Sequence, residues 1–244
     1  MTGLAGPVLA GCAGWAITRT AAAQFPAAGS VLERYAAVLN AVEINSSFYR
    51  PHQAKTYARW AASVPAAFRF SVKLPRTISH ELRLRDIELP LARFAGEANA
   101  LGEKLGCVLL QLPPSLAFET GLADDFLQRV RASFGCMLAC EARHPSWFSD
   151  SATRLLQQHG VTRVLADPPT GQPGPHVPTT AASYRRLHGA PRIYYSSYDD
   201  VYLARLSAEL RQAATGGMSW LIFDNTAAGA ALENLLQLKR TSGL

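Results

Sequence analysis

Eight short apolar runs, spread along the 244 residues, constrain the fold of this chain more than any other feature. Most are separated by longer amphipathic segments whose apolar residues recur at helical spacing. Strands that alternate with helices are joined by right-handed crossovers and line up in parallel. We therefore predict eight βα units, with strands over residues 8–14, 41–45, 68–73, 107–111, 137–141, 162–167, 183–188 and 220–224.

The helix-like segments carry start and stop signals of their own. Ser30 and Glu33 have the spacing of a capping box, and the segment 150–160 ends in a glycine. Predicted helices begin near Ser30 and cover residues 119–134, 150–160, 200–214 and 225–240.

Eight βα units in a chain of this length predict one α/β domain, a (β/α)8 barrel of the TIM type. The alternative is an open doubly wound sheet, which a glycine-rich phosphate loop after the first strand would favour. The sequence there, "GCAGWA" (11–16), lacks the GxGxxG pattern. We assign the single domain to residues 1–244, with its core at about 8–240.

Two segments break the alternation of strands and helices. "SHELRLRDIELP" (79–90) predicts a charged loop after the third strand. "PPTGQPGPHVP" (168–178) is too rich in proline and glycine to be helical, so we predict an irregular segment after the sixth strand. Both would lie at the C-terminal face of the barrel, where long loops are often functional.

Polar residues end nearly every predicted strand on one face. Residues two apart in a strand share a face, so Ala139 and Glu141 lie together and Cys140 lies opposite. If the terminal residues point into the barrel, the apolar residues between them face the helices, as a covered parallel sheet requires. The predicted ring at the C-terminal mouth contains Glu43, Asn45, Lys73, Gln111, Glu141, Asp167, Arg186, His188 and Asp224.

This ring predicts a functional site, because barrel enzymes hold their catalytic groups at the C-terminal mouth. The opposing interpretation is that strands end in polar residues where they reach water, and that buried charges pair with one another. It accounts less well for a charged or amide group at nearly every strand end. We predict an enzyme acting on a small polar substrate, phosphorylated or carboxylated, with hydrolase, isomerase or lyase chemistry most compatible.

Two chemistries are compatible with the ring. Its carboxylates and His188 could bind a divalent metal, as in a metal-dependent hydrolase or isomerase. Alternatively, Lys73, Arg143 and Arg186 neutralise the carboxylates and hold an anionic group while acid–base work proceeds without a metal. Interleaved cations would repel a metal, so we favour the second, with no metal ligand assigned. The predicted catalytic residues are Glu141, Asp167, His188 and Lys73.

Residues just past the strand ends complete the predicted site. Tyr49 and Trp147 could stack on a substrate ring or cap the barrel core. Asn225 starts the last predicted helix, where an N-cap is expected. The predicted substrate-binding residues are Glu43, Asn45, Tyr49, Gln111, Arg143, His144, Trp147, Arg186, Asp224 and Asn225.

Composition limits the partners and the compartment. The net charge is +6, yet no run of lysines and arginines forms a nucleic-acid-binding arm, so a non-catalytic ligand-binding or nucleic-acid-binding protein is the least favoured alternative. No apolar run approaches the length of a membrane span. The four cysteines form no CxxC pair and lie mostly in apolar runs, which is typical of reduced thiols in a cytoplasmic protein.

Several motifs resemble the motif series of the YecE-like proteins, a family catalogued as a domain of unknown function. They include "VEINSSFY", "FRFSVKLPRTISH", "CEARHPSWF" and "YRRLHG", and the resemblance runs from about residue 9 to 240. It implies a TIM-type barrel but no established activity, substrate or cofactor. The family's motif residues fall on Glu43, Asn45, Tyr49, Lys73, His80, Gln111, Glu141, Arg143, His144, Trp147, Asp167, Arg186, His188, Asp224 and Asn225.

Overall fold

The computed structural model describes residues 8–213 and 217–242, and these contain nine strands and seven α-helices. The strands are β1 (Val8–Cys12), β2 (Ala41–Ile44), β3 (Arg69–Lys73), β4 (Leu105–Gln111), β5 (Met137–Glu141), β6 (Val161–Arg163), β7 (Leu165–Asp167), β8 (Ser183–Leu187) and β9 (Ser219–Phe223). The helices are α1 (Val31–Ala36), α2 (Ala54–Ala62), α3 (Glu88–Ala98), α4 (Thr120–Ser133), α5 (Asp150–Gln158), α6 (Asp200–Ala213) and α7 (Ala230–Ser242). The predicted end of one helix at residue 214, and both ends of the predicted domain (1–7 and 243–244), lie outside the described residues.

All the strand pairs in the described ranges are parallel, in the orders β2-β3-β4-β5-β6 and β1-β9-β8-β7. The two sheets meet at two junctions. The sixth predicted strand is interrupted at Val164, with β6 paired to β5 and β7 paired to β8. On the other side, a single bridge joins Ala13, just after β1, to Glu43 in β2. The predicted TIM-type barrel is therefore confirmed, with its hydrogen-bonded ladder interrupted at both junctions.

Side-chain alternation separates two apolar cores. Leu109, Ala139 and Ile222 pack inside the barrel with Trp220, whose ring stacks on Tyr184 at 5.8 Å. The residues between the inward positions belong to the outer core under the helices, as predicted; they include Val72, Leu110, Cys140 and Leu187. The inner core forms an apolar floor, so the polar residues at the strand ends stand above it at the mouth.

The helices follow their local signals with one clear exception. Ser30 and Glu33 form the predicted capping box at α1, with the Ser30 amide 2.7 Å from the Glu33 carboxylate. The last helix starts at Ala230 rather than Asn225, because Gly229 has a φ of 81° that breaks the helical path. Within the described ranges, no helix is long and apolar enough to cross a membrane.

The Pro/Gly-rich segment 168–178 contains no helix, as predicted. It is held against the outside of the barrel by Arg163, whose guanidinium donates to the carbonyls of Val177 (3.1 Å) and Trp147 (3.0 Å) and to Thr153 Oγ1 (2.9 Å). Buried Arg163 thus connects the segment to α5 and to the turn before it.

The other irregular segment differs from the prediction at both ends. Thr77–Glu81 form a π-helical turn and α3 begins at Glu88, so only residues 82–87 form a charged turn. The physical reason is that apolar residues interspersed among the charges, such as Ile78 and Leu84, are buried in the outer core.

Candidate functional site

Arg186 in β8 is the centre of a buried ion-pair cluster at the C-terminal mouth. Its guanidinium makes a bidentate pair with Glu43 (Nε–Oε2 3.0 Å, Nη2–Oε1 2.7 Å). It also donates to Glu141 Oε2 at 2.5 Å and to Asp224 Oδ2 at 3.0 Å. Burial disfavours the charged guanidinium, but the three carboxylates outweigh it and hold the pKa of Arg186 well above its usual value.

Strand alternation explains why these side chains meet. Glu43 in β2, Glu141 at the end of β5 and Asp224 after β9 all occupy inward positions of neighbouring or facing strands. Tyr184 lies at the inward position two residues before Arg186, and its Oη lies 2.9 Å from Glu43 Oε2 and 2.7 Å from Ser71 Oγ. The predicted site residues did not include Tyr184 or Ser71, although each lies two residues before a predicted site residue, Arg186 or Lys73, on the same face.

His188 stands between two of the carboxylates. Its Nδ1 lies 2.9 Å from Asp224 Oδ2. Its Nε2 lies 3.4 Å from Glu141 Oε1, within ion-pair range but without the alignment of a hydrogen bond. Burial alone would lower the pKa of His188, but the contacts with Asp224 and Glu141 outweigh it and raise the pKa above 6.5. The rings of His188 and Tyr194 form a T-shaped contact, with centroids 5.7 Å apart.

Glu141 uses both of its oxygens in ion pairs. Oε1 accepts from Arg143 Nε (2.9 Å) and Nη2 (2.7 Å), while Oε2 accepts from Arg186. Burial favours the neutral acid, but Arg186, His188 and Arg143 together hold the pKa of Glu141 well below its usual value. The carboxylate therefore stays ionised and fixes Arg143 at the mouth, where the Arg143 side chain is 20% exposed.

Lys73 at the end of β3 is buried but differs from the other cations of the site. Its Nζ lies 4.1 Å from the ring centroid of Phe48. No carboxylate in the described part of the chain lies within 4.0 Å of this ammonium, since the cluster's carboxylates pair with Arg186, Arg143 and His188. Burial, followed by the charge of Arg186, lowers the pKa of Lys73 to about 8.

Asp167 does not join the cluster, which corrects the expected inward orientation. Its carboxylate Oδ1 accepts from Tyr198 Oη at 2.9 Å, on the side of the barrel that α6 covers. The physical reason is the register of β7 against β8: Ala166 pairs with inward-facing Arg186, whereas Asp167 pairs with Leu187 of the outer core. The inward positions of this strand, which include Val164, are therefore one residue out of phase with the prediction.

Trp147 and Asn225 also lie away from the open mouth. Trp147 is in the outer core, where its Nε1 donates to the carbonyl of Leu116 at 3.0 Å. Asn225 is buried, and its Nδ2 donates to Asn234 Oδ1 at 3.0 Å, so it serves a structural amide network rather than the expected N-cap. Both positions follow strand ends in sequence, but the chain turns outward directly after those ends.

The remaining predicted residues lie around the rim. Tyr49 is 70% exposed, and the Nδ1 of His144 contacts Ser146 at the start of a short 3₁₀ turn. Gln111 is buried in register with Glu141. Asn45 lines a cavity of about 430 Å³ that opens beside Glu43, and its buried Oδ1 has no partner within the described ranges.

The cluster does not fit a divalent metal. A metal needs several carboxylate or imidazole atoms converging on one point, and the guanidinium of Arg186 occupies the point where Glu43, Glu141 and Asp224 converge. In residues 8–213 and 217–242, no group of three His, Cys, Asp or Glu side chains has metal-binding geometry.

Fold and site together define a TIM-type barrel protein with a charged, ion-paired cluster at its C-terminal mouth. The family model described as "Protein of unknown function DUF72" matches residues 9–244, so the chain belongs to the DUF72 family. The resemblance to the YecE-like proteins is thereby confirmed.

UPF0759 protein YecE of Escherichia coli K12 is 32% identical over 142 residues, which cover 56% of this chain and 52% of YecE. The chain thus spans about half the length of the curated relatives it matches.

Solved structures agree with this assignment. A DUF72 family protein from Thermotoga maritima superposes with a TM-score of 0.80 at 25% identity, covering 97% of this chain and 99% of the other. One from Enterococcus faecalis gives a TM-score of 0.81 at 22% identity, covering 98% and 96%. A "xylose isomerase-like TIM barrel/4-hydroxyphenylpyruvate dioxygenase fusion protein" gives 0.54 at 14% identity, covering 96% of this chain and 43% of the fusion, and so shows the fold alone.

Proposed function

We propose that the protein is an enzyme that performs acid–base chemistry on a small anionic substrate, carboxylated or phosphorylated, at the barrel mouth. The position of His188 carries the proposal. Its Nδ1 is fixed by Asp224, while its Nε2 has no hydrogen-bond partner among the described residues. The nearest charged group to Nε2 is Glu141 Oε1, at 3.4 Å. A positioned imidazole with one ring nitrogen outside any hydrogen bond is the usual proton-transfer group near neutral pH.

The contacts divide the other charged residues by role. Asp224 positions His188, and Glu141 positions Arg143 while facing Nε2. Arg186 is fully buried and saturated by carboxylates, so we assign it a structural role rather than substrate binding. The predicted role of Glu141 changes in the same way, because a carboxylate with both oxygens in ion pairs is a poor proton carrier.

The charges support an anionic substrate. The carboxylates of Glu43, Glu141 and Asp224 are matched in number by Arg186, Arg143 and Lys73. Protonated His188 would then make the cluster cationic. A carboxylate or phosphate would restore neutrality, and Arg143 offers the planar guanidinium that binds such groups well.

Solvent hydrogen exchange tests the proton-transfer role. A panel of small 2-oxo acids, 2-hydroxy acids and sugar phosphates would be incubated with the protein in D2O, and loss of C–H signals followed by NMR. We expect exchange in at least one compound, and its loss in His188→Gln. His159→Gln is the matched control, because His159 caps the C-terminal end of α5 and pairs with Asp124, outside the cluster. Exchange that persists in His188→Gln, or no exchange in the whole panel, would contradict the proposal.

Anion binding tests the second half of the proposal. Inorganic phosphate would be titrated calorimetrically into the wild type, Arg143→Gln and Arg205→Gln, the last being an exposed arginine on α6. Loss of a charge-assisted contact of about 1.5–3 kcal/mol predicts weaker binding by roughly tenfold or more in Arg143→Gln alone. Equal affinity in all three proteins would show that Arg143 does not bind the anion. Glu141→Gln should weaken phosphate binding as well, because it releases Arg143.

A further inference from the structure

We propose that Lys73 is a nucleophile that forms an imine with the carbonyl carbon of the substrate, which would therefore be a small aldehyde or ketone bearing an acidic group. This inference rests on the proposed function, because it names the substrate class and the covalent step of the same site. The juxtaposition that carries it is a buried, carboxylate-free ammonium at the inward end of β3 beside the ion-paired cluster.

The backbone under Lys73 is firmly held. Ser47 Oγ lies 2.7 Å from the carbonyl oxygen of Lys73 and 2.8 Å from that of Ile44, so it joins the ends of β2 and β3. The amide of Leu74 donates to Leu109 at 2.9 Å, which extends the pairing of β3 with β4 past Lys73. A fixed backbone aims the side chain at the mouth, as a covalent group requires.

A purely structural lysine would be expected to have a carboxylate partner. Arg186, at the same depth, takes three. Lys73 has the face of Phe48 instead, and in the ranges 8–213 and 217–242 no acidic oxygen comes within 4.0 Å of Nζ. The ring face and the more distant charges of Glu43, Glu141 and Asp224 favour the ammonium form, but desolvation and the charge of Arg186 outweigh them and bring the pKa of Lys73 to about 8.

A neutral amine is the form that attacks carbonyl carbon. Lysines activated for imine chemistry are desolvated or lie next to another cation, and Lys73 satisfies both conditions. Near neutral pH its free-amine fraction is on the order of a hundred times that of an ordinary lysine.

The step balances without an oxidant or a reductant. The Nζ lone pair forms a bond to the carbonyl carbon, and the C–O π pair moves to oxygen, which takes a proton to give a carbinolamine. Nitrogen loses a proton, the hydroxyl gains one and leaves as water, and a protonated imine remains. His188 is suited to supply that proton, since its Nε2 faces Glu141 at 3.4 Å without a hydrogen bond from the described residues. Arg143 would hold the acidic group of the same molecule.

Reductive trapping tests the inference. Glyoxylate, the smallest aldehyde that bears a carboxylate, would be added with cyanoborohydride near neutral pH, and the modified lysine identified by peptide mass mapping. The chain has four lysines, at 55, 73, 104 and 239, so the map is unambiguous. We expect one carboxymethyl group at Lys73, formed at least about tenfold faster than at exposed Lys55 and slowed by phosphate.

Matched variants complete the experiment. Lys73→Arg and Lys73→Met should lose the fast modification, while Lys55→Arg should keep it; circular dichroism would establish that each variant folds. Equal labelling of Lys73 and Lys55, or no labelling of Lys73, would overturn the inference. If the inference fails in this way but hydrogen exchange still depends on His188, the proposed function is retained without the imine step. If the wild type shows neither phosphate binding nor exchange, the proposed function itself is wrong.

Discussion

At the scale of single residues, the site depends on reciprocal charge compensation. Arg186 is fully buried and pairs with Glu43, Glu141 and Asp224, which favour its charged form, and its charge in turn lowers the pKa of Glu141 and of Asp224 against the effect of burial. The cluster is therefore a rigid support from which Arg143 and His188 extend toward the mouth.

Replacement of Arg186 by methionine should destabilise the protein strongly. It leaves three buried carboxylates short of a partner, and the expected loss is roughly 3–5 kcal/mol in the free energy of unfolding. Urea denaturation measures it. Arg186→Lys keeps the charge but not the bidentate geometry, and should lose less stability than the methionine variant. A methionine variant as stable as the wild type would show that the cluster contributes little.

Lys73→Met should stabilise the protein at neutral pH, in contrast to Arg186→Met. The pKa of Lys73 is depressed to about 8 in the folded protein against 10.5 for an ordinary lysine, so the buried ammonium disfavours folding most below pH 8. The variant should gain up to about 3 kcal/mol there, and the gain should vanish as the pH rises through 10.5. Denaturant unfolding across this pH range measures it; a gain independent of pH would point to packing instead.

His188→Gln should show its own pH dependence. Because the folded pKa of His188 is raised, the charged imidazole stabilises the protein fully below its ordinary pKa of 6.5, and this contribution is lost as the pH rises through the folded value. The variant should therefore be most destabilised just below pH 6.5, above the range where the carboxylates protonate. Parallel melting curves of both proteins measure it, and a constant difference across pH would contradict the raised pKa.

At the scale of elements, the Pro/Gly-rich segment 168–178 supports the site from outside the barrel. Gly171 has a φ of 71°, and a β-carbon there would lie 2.0 Å from the carbonyl oxygen of Arg143. Only glycine allows this approach, so the segment packs directly on the loop that presents the Arg143 guanidinium.

Gly171→Ala should therefore weaken phosphate binding without touching the site. The added methyl group forces the loop that carries Arg143 to shift, and we expect a loss of affinity of roughly tenfold, the size expected when Arg143 no longer makes its charge-assisted contact. Gly174→Ala is the control in the same segment, because a β-carbon there meets nothing within 4 Å. Isothermal titration of phosphate into both variants measures the effect. Equal affinities would show that the segment does not influence anion binding at the site.

At the scale of the whole molecule, the first described strand pairs with the last. β1 pairs with β9 along all five of its residues, and α7 packs on both strands. We therefore expect a single cooperative unfolding transition, as for one domain over the predicted range. Tryptophan fluorescence and far-ultraviolet circular dichroism should give coincident urea curves, because the four tryptophans, at positions 15, 60, 147 and 220, are spread along the chain. Two separate transitions would show that the chain unfolds as two units.

The sequence by itself determined the barrel, the alternation of its strands and most of the cluster. Alternation is a local property of extended chain, so Glu43, Lys73, Glu141, Arg186, His188 and Asp224 could be placed at the mouth without knowledge of the packing. Tertiary structure alone decided which of these groups pair. It left Lys73 without a carboxylate, turned Asp167 toward Tyr198, and placed Trp147 in the outer core. The orientation of Asp167 depends on the register of β7 against β8, and the position of Trp147 depends on the path of the loop after β5. Both result from contacts between residues far apart in sequence.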